Sequence, residues 1–283
     1  MVCDFYFLKL EETQYLFDIF EKNKLDAAFV GGCVRDAILG EKSLDFDLAI
    51  NSEISKVINI LKKENIKCIL TGIKYNSITV VINNIKFELT SLRKDDQCFG
   101  RHCICSVVSS FHEDAKRRDF TINAIYVSKS GEVFDYFNGI QDLCNRKIKF
   151  IGNPEKRISE DYLRILRYYR FCAKYGDLED RYESIIKKFP ISLQLLSIER
   201  IQKELFQILE SKYAIPILKN IKNSAILANI FNEMNIELLS KSQHNVSLEY
   251  KLFLLFSYND LMTVFRLTKI QKQKIKEYTT IRL

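Results

Sequence analysis

The chain has 283 residues, of which 47% are hydrophobic and 28% are charged, and its formal net charge is +7. The apolar fraction is sufficient for a folded core, and with only 9 glycines and 3 prolines the composition excludes a disordered tail, a collagen-like rod and a low-complexity protein. The longest apolar run, from Ala27 to Val34, is far shorter than the ~18 residues of a membrane span. The first residues also lack the pattern of a signal peptide, so we expect a cytoplasmic protein that does not contact a membrane.

The positive charge is concentrated in the second half of the chain. Residues 1–152 contain 21 basic and 21 acidic residues, whereas residues 153–283 contain 22 basic and 15 acidic residues. A neutral N-terminal part followed by a basic C-terminal part is typical of a protein whose C-terminal part contacts a polyanion. A solvated lysine-rich surface has the same composition, and charge alone does not separate the two.

The hydrophobic pattern changes near residue 152. Before it, short apolar runs predict strands and three- to four-residue periodicity predicts helices; after Asn153-Pro154 the pattern is helical almost to the end. The predicted fold class is therefore α+β, with a small mixed β-sheet and helices over 1–152 followed by an all-helical region. In chain order, the predicted elements are a helix over 13–22, strands over 27–30 and 44–50, a helix over 54–63, strands over 77–82 and 86–90 joined by a turn at Asn83-Asn84, and a strand over 124–127.

A glycine turn follows the first predicted strand. Gly31 and Gly32 lie between that strand and a segment of helical character that carries Arg35. Two glycines let the backbone approach a ligand closely, a helix N-terminus presents N–H groups to an anion, and an arginine adds a forked contact to phosphate. By themselves these residues also fit an ordinary strand–turn–helix connection.

Two aspartates strengthen the functional interpretation. Asp45 and Asp47 are two residues apart in a predicted strand, so their carboxylates are expected on one face, with Phe46 on the other. Adjacent anions repel unless a cation lies between them, and carboxylate oxygens together with substrate phosphates favour Mg²⁺. Glu88, in another strand-like run, is a candidate third acid; a surface acid paired with a base is nearly as good an account of it.

The 8 cysteines include no CxxC pair, which argues against a paired-ligand zinc site and a disulfide scaffold. His102, Cys103 and Cys105 are clustered, and a soft-metal site there is the alternative to free cytosolic thiols, which we favour.

Six sequence blocks together resemble the DNA polymerase beta superfamily, in the branch of class II tRNA nucleotidyltransferases and bacterial poly(A) polymerases. They occur in the family's order and cover roughly residues 25–210. The blocks are GGCVRD at 31–36, DFD at 45–47, ELTSLR at 88–93, RRDFTINA at 117–124, EDYLRILRYYRF at 160–171 and IERIQKEL at 198–205.

The resemblance implies a role for each matching residue. It implies that Asp45 and Asp47 bind the metal, that Gly32 and Arg35 contact the triphosphate, and that Arg118 and Asp119 approach the nucleotide sugar and phosphates. Further along the chain, Asp161 and Arg164 match the pair that recognises the incoming base, with Arg167 and Arg170 on the same predicted helix.

The spacing of these last residues leads to two further expectations. Asp161 precedes Arg164 by three residues, so a mutual contact could fix the guanidinium orientation. Arg164, Arg167 and Arg170 form a basic stripe with a single acid on it, which favours a bound anion over a solvent-facing helix with internal ion pairs.

The resemblance also implies the activity and the domain plan. We expect a Mg²⁺-dependent enzyme that adds CMP and AMP from CTP and ATP to the tRNA 3′ end. Its parts would be a catalytic head over 1–152, a helical neck over 153–210 and an RNA-binding body over 211–283, the last short for the family. The polar stretch 94–116 resembles the family's flexible loop, whose arginine-containing part would be Arg101-His102. Alternatives are a poly(A) polymerase, an A-adding enzyme and a catalytically silent RNA-binding protein; the sequence does not determine the oligomeric state.

Overall fold

The structure is a computed structural model that describes residues 4–70, 72–73, 76–99, 102–176, 178, 180–189, 192–228, 230–242 and 246–281. Side chains are not described at 95–99, 102–105, 180–181, 192 and 281. The proposed loop residue Arg101 lies outside the described residues, as do the side chains of the His102, Cys103 and Cys105 cluster. The thiol interpretation and its soft-metal alternative therefore stay predictions.

The chain divides into two compact units. The first, called here the head unit, comprises residues 1–145 and 149–153; the second, the helical unit, comprises residues 146–148 and 154–283. Within the described residues, none of the helices combines the length and apolar character that spanning a lipid bilayer requires.

The head unit contains a seven-stranded mixed sheet. Its strand order is β3-β4-β5-β2-β1-β8-β9, in which β2 and β5 run parallel and the other neighbours run antiparallel. A separate two-stranded ribbon is formed by β6 and β7. The strands are β1 (Ala27–Val30), β2 (Phe46–Ile50), β3 (Lys67–Ile69), β4 (Ser77–Ile82), β5 (Ile85–Ser91), β6 (Arg93–Phe99), β7 (His102–Val107), β8 (Ile125–Ser128) and β9 (Val133–Asp135). The helices are α1 (Glu11–Lys22), α2 (Gly32–Ile38), α3 (Ile54–Lys63), α4 (Phe111–Arg117) and α5 (Gly139–Cys144).

The central strands β1 and β2 are buried on both faces, which explains their nearly continuous apolar runs. On one face, aromatic rings pack together: the ring centres of Phe29 and Phe7 are 4.4 Å apart, and those of the stacked pair Phe46 and Phe87 are 5.6 Å apart. On the other face, Ala28 and Val30 belong to a buried cluster. Because side chains alternate along β2, Asp47 lies on the same side of the sheet as Ala49 of that cluster, and Phe46 lies on the other.

The helical unit is built from helices around apolar stripes. Helices α7 and α9 both bury residues at three- and four-residue spacing, such as Leu205, Ile208 and Leu209 in α9. The helices are α6 (Pro154–Glu160), α7 (Leu163–Tyr175), α8 (Asp180–Ile186), α9 (Ile198–Glu210), α10 (Ala214–Asn223), α11 (Ile236–Ser240), α12 (Leu248–Leu255), α13 (Tyr258–Thr263) and α14 (Lys269–Ile281).

The predicted α+β class, with a mixed sheet followed by helices, is confirmed. The predicted elements over 27–30, 54–63 and 77–82 coincide with β1, α3 and β4. Asn83 and Asn84 have φ values of 46° and 68°, as in the type I′ turn of a tight hairpin, which confirms the turn between β4 and β5.

Two predictions about local structure were wrong. The stretch 94–116 was expected to be irregular, but it contains most of the β6–β7 ribbon and of α4, because backbone pairing between two strands does not require an apolar pattern. Asp161 was expected on the same helix as Arg164, Arg167 and Arg170, but α6 ends at Glu160 and α7 begins at Leu163. Asp161 therefore lies in the break between the two helices.

Candidate active site

The glycine turn brings main chain next to charged side chains. Strand β1 ends at Val30, Gly31 has φ +77° and ψ −124°, and α2 begins at Gly32. A Cβ on Gly31 would lie 3.4 Å from Oδ2 of Asp47, and one on Gly32 would lie 3.8 Å from Nη2 of Arg35. A methyl group at either position would touch the carboxylate or the guanidinium at ordinary van der Waals distance, so a larger side chain would compete for that space; Gly31 also has a backbone conformation that L-residues rarely adopt.

The acidic residues converge on the first half of β2. Asp47 in β2 is directly opposite Glu88 in β5, because these two strands pair in parallel register. Oε1 of Glu88 accepts a hydrogen bond from the Ser77 hydroxyl at 3.1 Å. Asp45 was predicted to share the strand with Asp47, but β2 begins at Phe46, so Asp45 lies on the exposed segment just before it. Phe46 is buried on the aromatic face, as predicted.

Asp47 lies in a strongly charged environment. Burial raises the pKa of its carboxyl, the Glu88 and Asp45 carboxylates raise it further, and Arg118 and Arg35 oppose them, so that the pKa is about 6. Groups from β5, from α2, from the segment before β2 and from the segment after α4 thus all act on one carboxylate. An added cation would relieve the repulsion among the acids.

The donor set fits a hard divalent cation. Asp45 and Asp47 supply carboxylate oxygens, and the missing side chain of Gly31 leaves room beside Asp47. Within the described residues, no three ligating side chains form a metal-binding group. Such a partial set is how Mg²⁺ is commonly held, with one or two carboxylates and with waters and substrate phosphates as the other ligands.

A buried network joins two of the predicted nucleotide contacts. Nη1 of Arg35 donates to Oδ1 of Asn123, and Nδ2 of Asn123 donates to Oδ1 of Asp119 at 2.8 Å. All three residues are at most 9% exposed. Arg35 and Asp119, which are distant in sequence, are therefore held together through Asn123.

Arg118 is held by residues of its own unit. It donates to Asp114 and to the hydroxyl of Tyr126, and its guanidinium lies 5.1 Å from the centre of the Tyr126 ring. Because Arg118 also lowers the pKa of Asp47, its charge acts directly on the acidic cluster.

In the helical unit, Asp161 and Arg164 have different partners from those predicted. Asp161 accepts from Nη2 of Arg200 in α9 at 2.7 Å, and Arg164 donates to Oε2 of Glu160 at 2.6 Å. The expected contact between the two side chains was wrong, because Asp161 lies outside α7 and helical i,i+3 geometry does not apply. Each side chain is nevertheless fixed by an ion pair of its own.

The arginine stripe is compensated by acids from outside it. Arg170 pairs with Glu204 of α9 at 2.6 Å, and Arg167 lies 4.0 Å from the same carboxylate. Glu204 is only 4% exposed. Acids outside the stripe therefore balance part of its charge, which the sequence argument did not consider, and anion binding at the stripe stays a prediction.

Within each unit, sequence reasoning missed residues that hold the predicted site residues: Asn123, Asp114 and Tyr126 in the head unit, and Glu160, Arg200 and Glu204 in the helical unit. Four of these lie inside the recognised blocks or directly beside a named residue, so the blocks themselves were the available signal. Asp114 lies four residues before Arg118, a spacing at which side chains meet on a helix. Tyr126 had no sequence signal beyond a strand pattern.

Comparison with known proteins gives a consistent result. Residues 27–149 match the family model described as the Poly A polymerase head domain. The chain is 36% identical over 220 residues to the mitochondrial CCA tRNA nucleotidyltransferase 1 of Danio rerio, covering 73% of this chain and 51% of that protein. It is 36% identical over 187 residues to the CCA-adding enzyme of Enterococcus faecalis, covering 65% of this chain and 45% of that protein.

A solved structure agrees with the sequence matches. The CCA-adding enzyme of Bacillus stearothermophilus, in complex with CTP, superposes with a TM-score of 0.68 at 31% identity, covering 76% of this chain and 52% of that one. The chain spans about half the length of the curated relatives it matches. The matched head domain and these relatives show that residues 27–149 belong to the Poly A polymerase head domain family, in a chain that is similar to CCA-adding enzymes over 65–76% of its length.

Proposed function

We propose that this chain is a template-independent nucleotidyltransferase that adds CMP and AMP, from CTP and ATP, to complete CCA at the 3′ end of tRNA. The observation that carries the proposal is the convergence on Asp47 of a glycine turn, a second acid and two arginines. The relatives' names supply the substrate. The cytoplasmic location stays a prediction, since the relatives include mitochondrial and bacterial proteins.

Asp45 and Asp47 would hold Mg²⁺ together with the phosphates of the bound nucleotide. The ions, two in the proposed mechanism, would lower the charge barrier to attack by the RNA 3′-hydroxyl on the α-phosphate, with pyrophosphate as the leaving group. Arg35 and Arg118 place positive charge near the same carboxylates, where it would also attract the triphosphate. Gly31 and Gly32 keep side chains away from that position. The chain thus contributes position and charge rather than a covalent intermediate.

We further propose that residues 153–210 form a neck that selects the base. Asp161 offers carboxylate oxygens as acceptors and Arg164 offers guanidinium donors, so together they can read the hydrogen-bonding edge of cytosine or adenine. Their ion pairs with Arg200 and Glu160 would limit rotation and so limit which base fits. Arg167 and Arg170, tied to Glu204, would support the same helix. Residues 211–283 would contribute to RNA binding through their excess of basic residues.

The test is incorporation into tRNA transcripts that lack the terminal CCA. With CTP and ATP together, the product should be longer by CCA and then stop. Asp45→Ala and Asp47→Ala should each reduce incorporation to background with little change in tRNA affinity, because they remove the cation ligands and not the RNA contacts. Asp26→Asn, an exposed acid that bonds Asn51 in the same unit, is the matched control and should keep full activity.

Other outcomes identify the alternatives. A long product from ATP alone would identify a poly(A) polymerase, and addition of a single A to tRNA ending in CC, without C addition, would identify an A-adding enzyme. Binding of tRNA without incorporation would identify a catalytically silent RNA-binding protein. Full activity of Asp47→Ala would contradict the proposed mechanism.

The base-reading role is tested separately. Asp161→Ala or Arg164→Ala should let UTP and GTP enter at rates within about tenfold of the correct nucleotides, because each correct hydrogen bond to a charged group contributes roughly a factor of ten or more. The measurement is kcat/KM for each of the four nucleotides. Selectivity equal to that of the unmodified chain would count against this role, and Lys188→Ala, an exposed residue of the helical unit paired with Glu155, is the control.

A further inference from the structure

Asp114 is a buried acid of α4 to which the proposed mechanism gives no role. Its relative exposure is 0%, deep in the head unit. An ionised carboxylate removed from water is stable only if several donors surround it, because the desolvation cost is large. The groups that donate hydrogen bonds to Asp114 therefore indicate which side chains its carboxylate orients.

These donors come from three separate parts of the head unit. Oδ2 of Asp114 accepts from Nε and Nη2 of Arg118 at 3.1 and 2.9 Å and from the Tyr126 hydroxyl at 2.7 Å. Oδ1 accepts from Nε of Arg117 at 2.8 Å and from the main-chain nitrogen of Arg93 at 3.3 Å. Burial raises the pKa of Asp114, but Arg118, Arg117 and Tyr126 lower it to about 2, so the carboxylate is charged at neutral pH.

Asp114 fixes the direction of Arg118. Two nitrogens on one edge of the guanidinium bond the same carboxylate oxygen, Tyr126 accepts from Nε at 2.8 Å, and Nη1 reaches the carbonyl oxygen of Asn123 at 3.4 Å. Arg118 is thereby held where its charge lowers the pKa of Asp47. Without Asp114, the arginine would lose the anion that orients it.

The same carboxylate also reaches the root of the β6–β7 ribbon. Arg93 is the first residue of β6, and its main-chain nitrogen donates to Asp114. On the other strand of the ribbon, the residue after β7 donates to the residue before β6, from Val108 N to Leu92 O at 3.0 Å. The buried carboxylate of Asp114 thus contacts both the start of the ribbon and Arg118, whose charge acts on the acidic cluster.

We propose that Asp114 is a positioning residue that orients Arg118 for the nucleotide phosphates and couples that orientation to the root of the β6–β7 ribbon. This inference rests on the proposed function, since it assigns Arg118 to the triphosphate. It predicts that a change at Asp114 acts on nucleotide binding through Arg118 and not independently of it.

The test is a double-mutant cycle read by the binding of Mg²⁺·ATP in the absence of RNA, measured by calorimetry. Asp114→Asn keeps the shape of the side chain and removes its charge; it should weaken ATP binding about tenfold or more, as loss of a charged hydrogen bond does. Arg118→Ala should weaken binding at least as much, and the double variant should bind no more weakly than Arg118→Ala alone. Effects that multiply in the double variant would overturn the proposal, because Asp114 would then act independently of Arg118.

The matched control is Glu113→Gln on the same helix. Glu113 is the preceding residue and pairs at the surface with Lys116 at 2.5 Å, so its removal should leave ATP affinity within about twofold. If Asp114→Asn does not fold, Tyr126→Phe replaces it in the cycle, because it removes one hydrogen bond to each of Asp114 and Arg118 and keeps the ring. Unchanged ATP affinity in Tyr126→Phe would then overturn the proposal.

Failure of the proposed function is distinguishable from failure of this inference. A chain that binds Mg²⁺·ATP but does not extend tRNA contradicts the CCA-adding activity, and the cycle still reports on Asp114. A chain that extends tRNA while the two substitutions multiply contradicts only the positioning role. A chain that does not bind Mg²⁺·ATP overturns both.

Discussion

At Asp47, an ionised carboxylate suits a cation site but lowers the free energy of unfolding of the metal-free protein. Burial and the neighbouring carboxylates raise the pKa of its carboxyl from 3.8 to about 6. Between these pH values the folded chain binds more protons at Asp47 than the unfolded chain does, so this group lowers the free energy of unfolding as the pH rises through that range. Above about pH 6 the full reduction in the free energy of unfolding remains unless a cation is bound.

Asp47→Asn should therefore stabilise the metal-free protein at neutral pH. The shift of about two pKa units corresponds to at most about 2 to 3 kcal/mol of unfolding free energy. The expected result is a higher Tm than the unmodified chain near pH 7.5 in chelator, with the difference shrinking toward pH 4. A variant that is less stable than the unmodified chain at neutral pH would show that the carboxylate is compensated without a cation.

At the scale of the element, the β1–α2 turn depends on a backbone that only glycine adopts easily. Gly31 combines a positive φ with a position 3.4 Å from the Asp47 carboxylate, measured to a virtual Cβ. Gly40, just beyond α2, also has a positive φ of 76°, but no described heavy atom lies within 4 Å of its virtual Cβ. A substitution at Gly31 therefore adds both backbone strain and a contact with Asp47, whereas a substitution at Gly40 adds backbone strain alone.

Gly31→Ala should cost about 1–3 kcal/mol of unfolding free energy and also reduce Mg²⁺-dependent ATP binding, because the methyl group meets Asp47. Gly40→Ala should cost a similar amount of stability and leave ATP binding unchanged. Denaturant unfolding and calorimetry on the same samples measure both quantities. Equal loss of ATP binding in the two variants would mean that strain alone is responsible.

The elements also show what the sequence could predict. Strand and helix positions that depend on local pattern, such as β4 and α3, were predicted correctly because periodicity and turn residues lie within a short window. The α6–α7 break was not predicted, since the apolar residues on either side of it, such as Ile158 and Tyr162, keep a four-residue spacing. The partner of Asp161 was not predictable either, because Arg200 lies 39 residues away and only packing of the helical unit brings it close.

At the scale of the whole molecule, charge is divided unequally along the chain. Residues 1–152 are neutral and residues 153–283 hold the entire excess of +7. Lysines contribute much of it in α14, where Lys274 pairs with Glu249 at 3.6 Å. Excess basic charge on a helical surface suits contacts with RNA phosphates, which carry little sequence information.

Binding of tRNA should therefore weaken steeply with salt, whereas Mg²⁺·ATP binding should change less. Raising the salt from about 50 to 200 mM should reduce tRNA affinity about tenfold or more if at least two phosphates are neutralised. A filter-binding or anisotropy titration at several salt concentrations gives the slope. A slope near zero would indicate that basic residues do not hold the RNA.

The chain crosses between its two units three times, at 145/146, 148/149 and 153/154. Residues 146–148 belong with helices that follow them, and a Cβ on Gly176 would overlap the carbonyl oxygen of Arg146 at 2.1 Å. During synthesis these three residues leave the ribosome well before Gly176 does. Residues 146–148 therefore cannot make this contact until Gly176 has emerged, whereas residues 149–153 emerge earlier and belong to the head unit.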